Sequence, residues 1–575
     1  MGLLNSALHI GRSALLSYQG ALQVTGNNIS SVGSPDYTRL TPELDPLQGN
    51  SLTRGLQPGA GVALSGIQRN FDEALESRIR LAIGGQESAL TQQASLSQVE
   101  VFFDDISGTG ASARLQQFFH GFDELQNTPE DPAIRDLAIN NAVQLAGSLQ
   151  ALRRQLAGLG ADLDGQIASV AAAADQAARE VAGLNEQITR AEAGGPGQAT
   201  GLRDQRDALL RELSEIFDLT VREEPDGAIN VYVGSEALVQ GATARGLITV
   251  EEFHGEFARS SVRFVDSNAD VAVRGGRLFG LMMSRDEHAY GRIAAIDELA
   301  SAIIAETNRV HADGQGLAGF RSVTGSYEVL APDAALDGAA AGLPYPPRDG
   351  SFFITVSDDL TGTPVAFRID VALGQGGGTT LQSLVADFNT EVDGVTASIT
   401  SDQRLLLTAD DGFSFTFGHD GQQARTDTSG VLSALGINTL FIGNGARDIA
   451  VNPALLDDPR LLAAGATFHT GDGLNAGRIA DLDSTGIARL GGYSVTASYA
   501  AIANRAALTA AAAHESVDAA SSVLSSLDAQ KQSISGVSLD EEAIALVKFE
   551  RSFQGASRFV AVVDQLLGEL VTLIR

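Results

Sequence analysis

Residues that could carry out catalysis or hold a metal ion are few and isolated in this sequence. His311 lies two positions before Asp313, a spacing that could serve proton transfer or metal binding, but a polar helix end before a glycine turn explains it more simply. Residues 481–486 begin like a calcium loop, yet its twelfth position is Gly492, so the bidentate glutamate is missing. Neither pattern predicts a functional site.

Longer sequence motifs add no chemistry. HExxH, GxSxG and Walker patterns do not occur, and the eight histidines are scattered. The sequence contains no cysteine, which removes disulfides, thiol nucleophiles and thiolate metal ligands. We therefore predict a protein that is not an enzyme, with no catalytic residues, no cofactor site and no metal site.

Apolar residues at the two ends of the chain have a spacing suited to helix association. They recur every seven residues with others between them, so the spacing alternates three and four, which is typical of a coiled-coil a/d seam. A helix over 539–574 would be about 54 Å long, and its seam needs a partner helix, which the N-terminal segment can provide. The predicted assembly seam comprises Leu8, Leu15, Leu22, Ile29, Leu539, Leu546, Phe549, Phe553, Val560, Val563, Leu567, Leu570 and Ile574.

The composition limits the classes of partner. A formal net charge of −32 and a pI near 4.5 would repel polyphosphate and anionic lipid, so we exclude nucleic acid as a main partner. No apolar stretch approaches the length of a membrane span, and we expect no membrane insertion. The N-terminus also lacks the basic flank and continuous apolar run of a signal peptide, so we expect none.

Hydrophobic periodicity predicts the elements that position the seam. Helical patterns extend over 3–32, 72–107, 111–126, 132–193, 277–311 and from 494 onward. Residues 40–66 lack a helical period and are predicted to be extended, residues 219–265 alternate as strands do, and short strands punctuated by Gly and Asp fill 350–440.

These elements predict an α+β multidomain fold. It has terminal coiled-coil helices from both chain ends, a long-helix bundle domain and β-rich inserted outer domains. We predict a terminal coiled-coil domain (1–35 with 536–575), a helical-bundle domain (36–200 with 441–535), a mixed α/β middle domain (201–345) and a β-rich inserted outer domain (346–440).

Residues 21–39 resemble the N-terminal signature of the flagellar axial proteins, which are the rod, hook and hook-associated proteins. The matching positions are Asn27, Asn28, Ile29, Pro35 and Tyr37. Residues 536–571 resemble the C-terminal signature of the same proteins. Three internal stretches (201–241, 297–319 and 434–453) are most similar to the hook-associated protein 1 family.

The resemblance implies a structural subunit of the bacterial flagellum at the hook–filament junction, which permits flagellin assembly distal to the hook. It implies secretion to the extracellular flagellum through the flagellar type III export pathway. The implied partners are other copies of the chain in a ring or helical layer, hook protein, a second junction protein (hook-associated protein 3) and an export chaperone at the C-terminal helix.

Two alternatives remain at this stage. The chain could be hook protein or another flagellar axial subunit, or the 346–440 insert could carry a surface adhesin role. We also expect the chain ends to be disordered in the exported monomer and to fold on assembly, with an ordinary helical bundle within one chain as the alternative.

Overall fold

The structure is a computed structural model, and it describes residues 2–34, 37–48, 59–103, 108, 110–193, 198–374, 378–420, 423–467 and 469–573, without the side chains of residues 2–4 and 570–573. Pro35 and Ile574 of the predicted sites therefore lie outside the described residues, as does the side chain of Leu570. None of the described helices is both long and apolar enough to cross a membrane.

Helices contain most of the described residues that lie in regular secondary structure. The α-helices are α1 (Gly2–Ser30), α2 (Glu73–Phe103), α3 (Ala111–Asn127), α4 (Pro132–Ala191), α5 (Thr200–Ile216), α6 (Gly276–Met283), α7 (Gly291–Ala312), α8 (Leu381–Glu391), α9 (Val431–Leu435), α10 (Pro453–Asp457), α11 (Leu474–Ala480), α12 (Val495–Ser535) and α13 (Leu539–Leu573). A π-helix (Ser284–Tyr290) joins α6 to α7.

The strands are short and form several small antiparallel sheets. They are β1 (Leu40–Gln48), β2 (Gly59–Arg69), β3 (Leu219–Glu223), β4 (Ile229–Val233), β5 (Glu236–Gln240), β6 (Thr243–Ala244), β7 (Leu247–His254), β8 (Phe257–Phe264), β9 (Ser322–Thr324), β10 (Gly350–Asp358), β11 (Pro364–Val371), β12 (Val395–Ile399), β13 (Leu405–Ala409), β14 (Phe413–Phe417), β15 (Phe441–Ile442) and β16 (Ala450–Val451).

The first compact unit contains both ends of the chain. It comprises residues 1–94, 161–284 and 512–575. Its sheets are the hairpin β1–β2, the four-stranded meander β3–β4–β5–β6 and the hairpin β7–β8. In the meander, β4 is almost wholly buried and lies between β3 and β5, as expected for a central strand rich in Val and Ile.

The second unit comprises residues 95–160 and 285–511 and contains the β-rich insert. Two three-stranded sheets, β11–β10–β14 and β12–β13–β9, enclose a core with helix α8. Alternate residues of β10 point inward, so Phe352, Ile354 and Val356 are buried together with Phe415 and Phe417 of β14.

The described elements confirm the coarse prediction of an α+β multidomain fold, with long helices and several small sheets. The four-domain division is a finer statement that these two units do not test, and it stays a prediction. The same holds for the coiled-coil geometry of the terminal helices.

Candidate assembly site at the paired chain ends

Helices α1 and α13 pack against each other in antiparallel orientation. Gly11 of α1 lies against Phe559 and Val560 of α13, whereas Asn28, near the other end of α1, contacts Glu542. A Cβ atom at residue 11 would lie only 2.4 Å from a methyl carbon of Val560. The close approach of the two helices therefore requires glycine at this position.

The predicted seam residues are distributed unevenly along this helix pair. Val563 is buried, and those that are half-buried are Leu8, Leu15, Leu22, Ile29, Phe549, Phe553, Val560 and Leu567. Leu539 and Leu546 are exposed by 54% and 37% at the start of α13. The assignment of all these residues to one assembly seam stays a prediction.

The hairpin β1–β2 covers a further part of α1. The Ser17 hydroxyl donates a hydrogen bond to the Val62 carbonyl oxygen at 3.0 Å, and Gly20 leaves room for the Leu64 side chain. Ala21 and Val24 are buried in α1. The sequence predicted extended structure here but not that it packs on the N-terminal helix.

A buried polar node joins the hairpin to both terminal helices. The Asn28 side-chain amide donates to the Leu40 carbonyl oxygen (2.8 Å) and to Glu542 Oε2 (3.0 Å). Its Oδ1 accepts from the Leu40 N–H (3.0 Å) and from the Tyr37 hydroxyl (2.7 Å). Two donors and two acceptor positions are thereby filled, which is the full capacity of an amide.

Charge pairing completes the node from the C-terminal helix. Glu542 is only 3% exposed, and its Oε1 accepts from Arg39 Nε at 2.8 Å. Arg39 also donates to Glu541 at 2.6 Å, and its backbone N–H donates to the Ser535 carbonyl oxygen. Glu542 thus receives both a positive partner and a neutral donor, which a buried carboxylate requires.

Tyr37 acts in this node as a hydrogen-bond donor. Burial, together with the carboxylates of Asp204 and Glu542, raises the pKa of Tyr37 to about 12. Its hydroxyl therefore keeps its proton at every pH at which the protein would work, and the bond to Asn28 is maintained.

The node combines residues that the sequence had marked for different reasons. Of the predicted signature residues, Asn28 and Tyr37 lie in the node, Ile29 is half-buried beside it, and Asn27 is exposed. Glu542 was missing from the predicted site residues. The sequence nevertheless indicated that Glu542 is unusual. It lies three residues after Leu539 and four before Leu546, at a position of the repeat that is normally apolar.

One apolar face of α13 is left uncovered in the described part of the chain. We call it the outer stripe, and it consists of Ile544, Val547, Val562 and Leu566. At 3.6 residues per turn these side chains fall within about 100° of one another and opposite the predicted seam. All four are exposed, Ile544 by 70% and Val562 by 56%.

Comparison with known proteins finds similarity to flagellar hook-associated proteins. The model of the flagellar hook-associated protein FlgK helical domain matches residues 96–325. Flagellar hook-associated protein 1 of Salmonella typhimurium is 27% identical over 320 residues, which cover 54% of this chain and 57% of the relative. The Escherichia coli K12 relative of the same title is 27% identical over 320 residues (54% of this chain, 58% of the relative), and the Bacillus subtilis one is 23% identical over 238 residues (40% and 46%).

This chain spans between about half and three-fifths of the length of the curated relatives that it matches. Among solved structures, one match is the flagellar hook junction protein FlgK from Burkholderia pseudomallei. The TM-score is 0.48 at 17% sequence identity, with 80% of this chain and 100% of that chain covered. Two of the internal stretches that suggested the resemblance, 201–241 and 297–319, lie inside the region matched by the FlgK domain model.

The third stretch, 434–453, contacts the second stretch, 297–319, in the structure. The Asn308 amide of α7 exchanges two hydrogen bonds with the backbone of Phe441, each of 2.8 Å. His311 is fully buried, with Nδ1 2.8 Å from the Asn438 carbonyl oxygen and Nε2 accepting from the Ala463 N–H at 3.0 Å. Burial lowers the pKa of His311 to about 4, so the ring is neutral and serves to hold three backbone segments together.

Asp313, the second residue of the candidate acid–base pair, also forms structural contacts. Asp313 accepts from the Asp427 N–H at 2.6 Å and pairs with Arg478 at 3.1 Å. Within the described residues, no group of three or more His, Asp or Glu side chains has a geometry that could hold a metal ion.

Proposed function

We propose that this chain is a structural subunit of the bacterial flagellum that forms the hook–filament junction and permits flagellin assembly distal to the hook. Similarity of residues 96–325 to the FlgK helical domain supports this role, as do relatives titled flagellar hook-associated protein 1. The observation that carries the proposal is the helix pair α1–α13, which leaves the outer stripe of α13 exposed.

The paired ends supply a mechanism for polymerisation. The polar node fixes α13 against α1 and the hairpin, so the outer stripe is presented on a defined face. Burying each of its side chains against another copy of the chain contributes roughly 1.5–3 kcal/mol. A contact between two different faces of identical subunits is heterologous, and it generates a ring or a helical layer, which a tubular structure needs.

The proposed partners follow from this role. They are further copies of the chain, hook protein on one side, hook-associated protein 3 on the other, and an export chaperone at the C-terminal helix before secretion. The proposed location is the extracellular flagellum, reached by type III export. A formal net charge of −32 argues against nucleic acid as a partner.

Electron microscopy of a deletion strain, with assay of the culture medium for flagellin, tests the role. Complete hooks without filaments, with unpolymerised flagellin in the medium, would support the junction assignment. Missing or shortened hooks would instead assign the chain to hook protein or another axial subunit. Normal flagella would refute the flagellar role and redirect attention to the β-rich insert.

A further inference from the structure

A groove in the second unit runs along one edge of strand β9. Its volume is about 630 Å³, and residues 322–326 line one side while α10 and the loop before it line the other. Val323, Leu455 and Leu461 contribute apolar surface to the groove. The groove is therefore bounded by a strand edge and contains both polar and apolar surface.

The pairing of β9 leaves the backbone of this edge without partners. On its other edge β9 pairs with β13, where the Gly325 N–H donates to the Leu405 carbonyl oxygen at 2.7 Å. In an antiparallel pair, alternate residues direct both backbone groups toward the partner strand, so those of Ser322 and Thr324 point away from β13. Among the residues that the structure describes, these groups form no hydrogen bond, and both residues are exposed.

The outer edges of two neighbouring strands are protected, unlike that of β9. On β12, the Asn389 side-chain amide donates to the Ala397 carbonyl oxygen at 2.8 Å and accepts from the Ala397 N–H at 2.7 Å, which caps the edge. On β11, Arg368 and Asp370 form an exposed ion pair at 2.6 Å, and charged side chains discourage strand addition. The edge of β9 carries only hydroxyl side chains and is open to another strand.

The charge of the groove favours a basic partner. Arg404 in its wall is already paired with Asp402 at 3.4 Å. Asp448 and Asp457 line the same groove, and neither forms an ion pair with any residue in the described part of the chain. The hydrogen bonds that Asp448 accepts come from backbone N–H groups, which carry no net charge. A cationic side chain in the groove would complement these two carboxylates.

We propose that this groove binds an extended basic peptide segment of a partner protein, which adds to β9 as a further strand. Its backbone exchanges hydrogen bonds with Ser322 and Thr324, and this main-chain pairing supplies affinity. Alternate side chains of the segment point to opposite faces, so apolar ones can contact Val323 while lysine or arginine reaches Asp448 and Asp457. The partner therefore needs an exposed, extended segment in which apolar and basic residues alternate.

Fluorescence polarisation with the full wild-type chain tests the binding mode. The probe is a fluorescein-labelled nine-residue peptide of alternating valine and lysine, and we expect saturable binding. The same peptide with every backbone nitrogen methylated cannot donate to β9 and should bind roughly tenfold more weakly or worse. A peptide with glutamate in place of lysine should lose affinity to a similar extent. Equal binding of the methylated and unmodified peptides would overturn the proposal.

Two variants with proline at open strand edges locate the site. Thr324→Pro removes an unpaired N–H without breaking a bond to β13, and it should weaken binding of the valine–lysine peptide roughly tenfold or more. Ala366→Pro is the matched control on β11 and should bind as the wild type does. Its N–H also points away from the neighbouring strand, since Ala372, six residues along, bonds Thr379 on the outer side.

The charge contribution has its own variant. Asp457→Asn removes one carboxylate from the groove, so it should weaken binding and reduce the dependence of Kd on salt concentration. Binding that is unchanged in Thr324→Pro, or lost equally in Ala366→Pro, would contradict the proposal. Dimerisation of the chain in analytical ultracentrifugation that Thr324→Pro abolishes would assign the edge to a second copy of the chain and would also overturn it.

Discussion

At the residue scale, the least replaceable contacts in the paired ends belong to Asn28. Its amide serves both backbone groups of Leu40, the Tyr37 hydroxyl and the Glu542 carboxylate, so each of these groups depends on one side chain. The neighbouring Asn27 is exposed and hydrogen-bonds none of these groups. Two adjacent asparagines of one signature therefore differ sharply in structural importance.

We predict that Asn28→Ala will loosen the terminal helices of the free chain. Several buried polar groups would lose their partner, at a cost of about 1–3 kcal/mol for each group left unsatisfied. Amide hydrogen exchange in α1 and the first turns of α13 should accelerate roughly 30-fold or more. Asn27→Ala is the matched control and should exchange as the wild type does. Equal protection in both variants would show that the node does not hold the helices together.

His311 makes the stability of the second unit depend on pH. Its folded-state pKa of about 4 lies below the ordinary value of 6.5, so the folded state binds fewer protons than the unfolded state between these limits. Stability is therefore fully present above about pH 6.5 and is lost as the pH falls toward 4, with a slope of about 1.4 kcal/mol per pH unit. His419, whose pKa burial also lowers to about 4, adds to this slope.

Urea unfolding at a series of pH values between 4 and 6.5 checks the prediction for His311. The variant His311→Gln keeps polar atoms at the site without the titration, and its stability should fall less steeply with decreasing pH than that of the wild type. His254→Gln alters an exposed histidine and should leave the slope unchanged. An identical slope in His311→Gln and the wild type would mean that protonation of this ring is not coupled to unfolding.

At the element scale, long periodic segments were predicted closely. The predicted helices over 111–126 and 132–193 correspond to α3 (Ala111–Asn127) and α4 (Pro132–Ala191), and the strands expected in 219–265 and 350–440 are present. An apolar repeat that continues over many helical turns shows which face of a helix is buried. Strict alternation of apolar and polar residues does the same for a strand.

Elements that depend on local capping or distant partners were not predicted. Helix α8 was missed because it is short and lies among strands. Its start is fixed by a capping box in which the side chains of Thr380 and Ser383 each accept a bond from the other's backbone N–H. The burial of Glu542 and the exposure of Leu539 depend on a hairpin and a helix hundreds of residues away. Periodicity cannot specify such partners.

Because α1 and α13 are in close contact, we predict that alanine will have opposite effects on the stability of α1 at Gly26 and at Gly11. Alanine favours helix over glycine by about 1 kcal/mol, so Gly26→Ala, where a Cβ meets nothing within 4 Å, should stabilise α1. Gly11→Ala should destabilise it, because the new methyl group collides with Val560 and overpacking costs about 1–3 kcal/mol. Amide exchange of α1 measures both changes. Stabilisation by both substitutions would contradict the described helix contact.

At the scale of the whole molecule, the two chain ends belong to one compact unit although more than 500 residues separate them. From the sequence we expected the ends to be disordered in the monomer and to fold on assembly, whereas the structure pairs α1 with α13 within a single chain, as in the bundle alternative. A chain with a net charge of −32 resists non-specific association with further copies. The assembly that we propose therefore needs a defined apolar surface, which the outer stripe of α13 offers.

Binding of the purified chain to hooks isolated from the deletion strain tests this claim most directly, with Val562→Asp compared with the wild type. Because Val562 is exposed, the variant should keep the far-UV circular dichroism and Tm of the wild type, yet incorporation at the hook tip should fall at least tenfold. Leu360→Asp, at a fully exposed position in the β-rich insert, should incorporate normally. Normal incorporation of a folded Val562→Asp chain would contradict the claim that the outer stripe carries assembly.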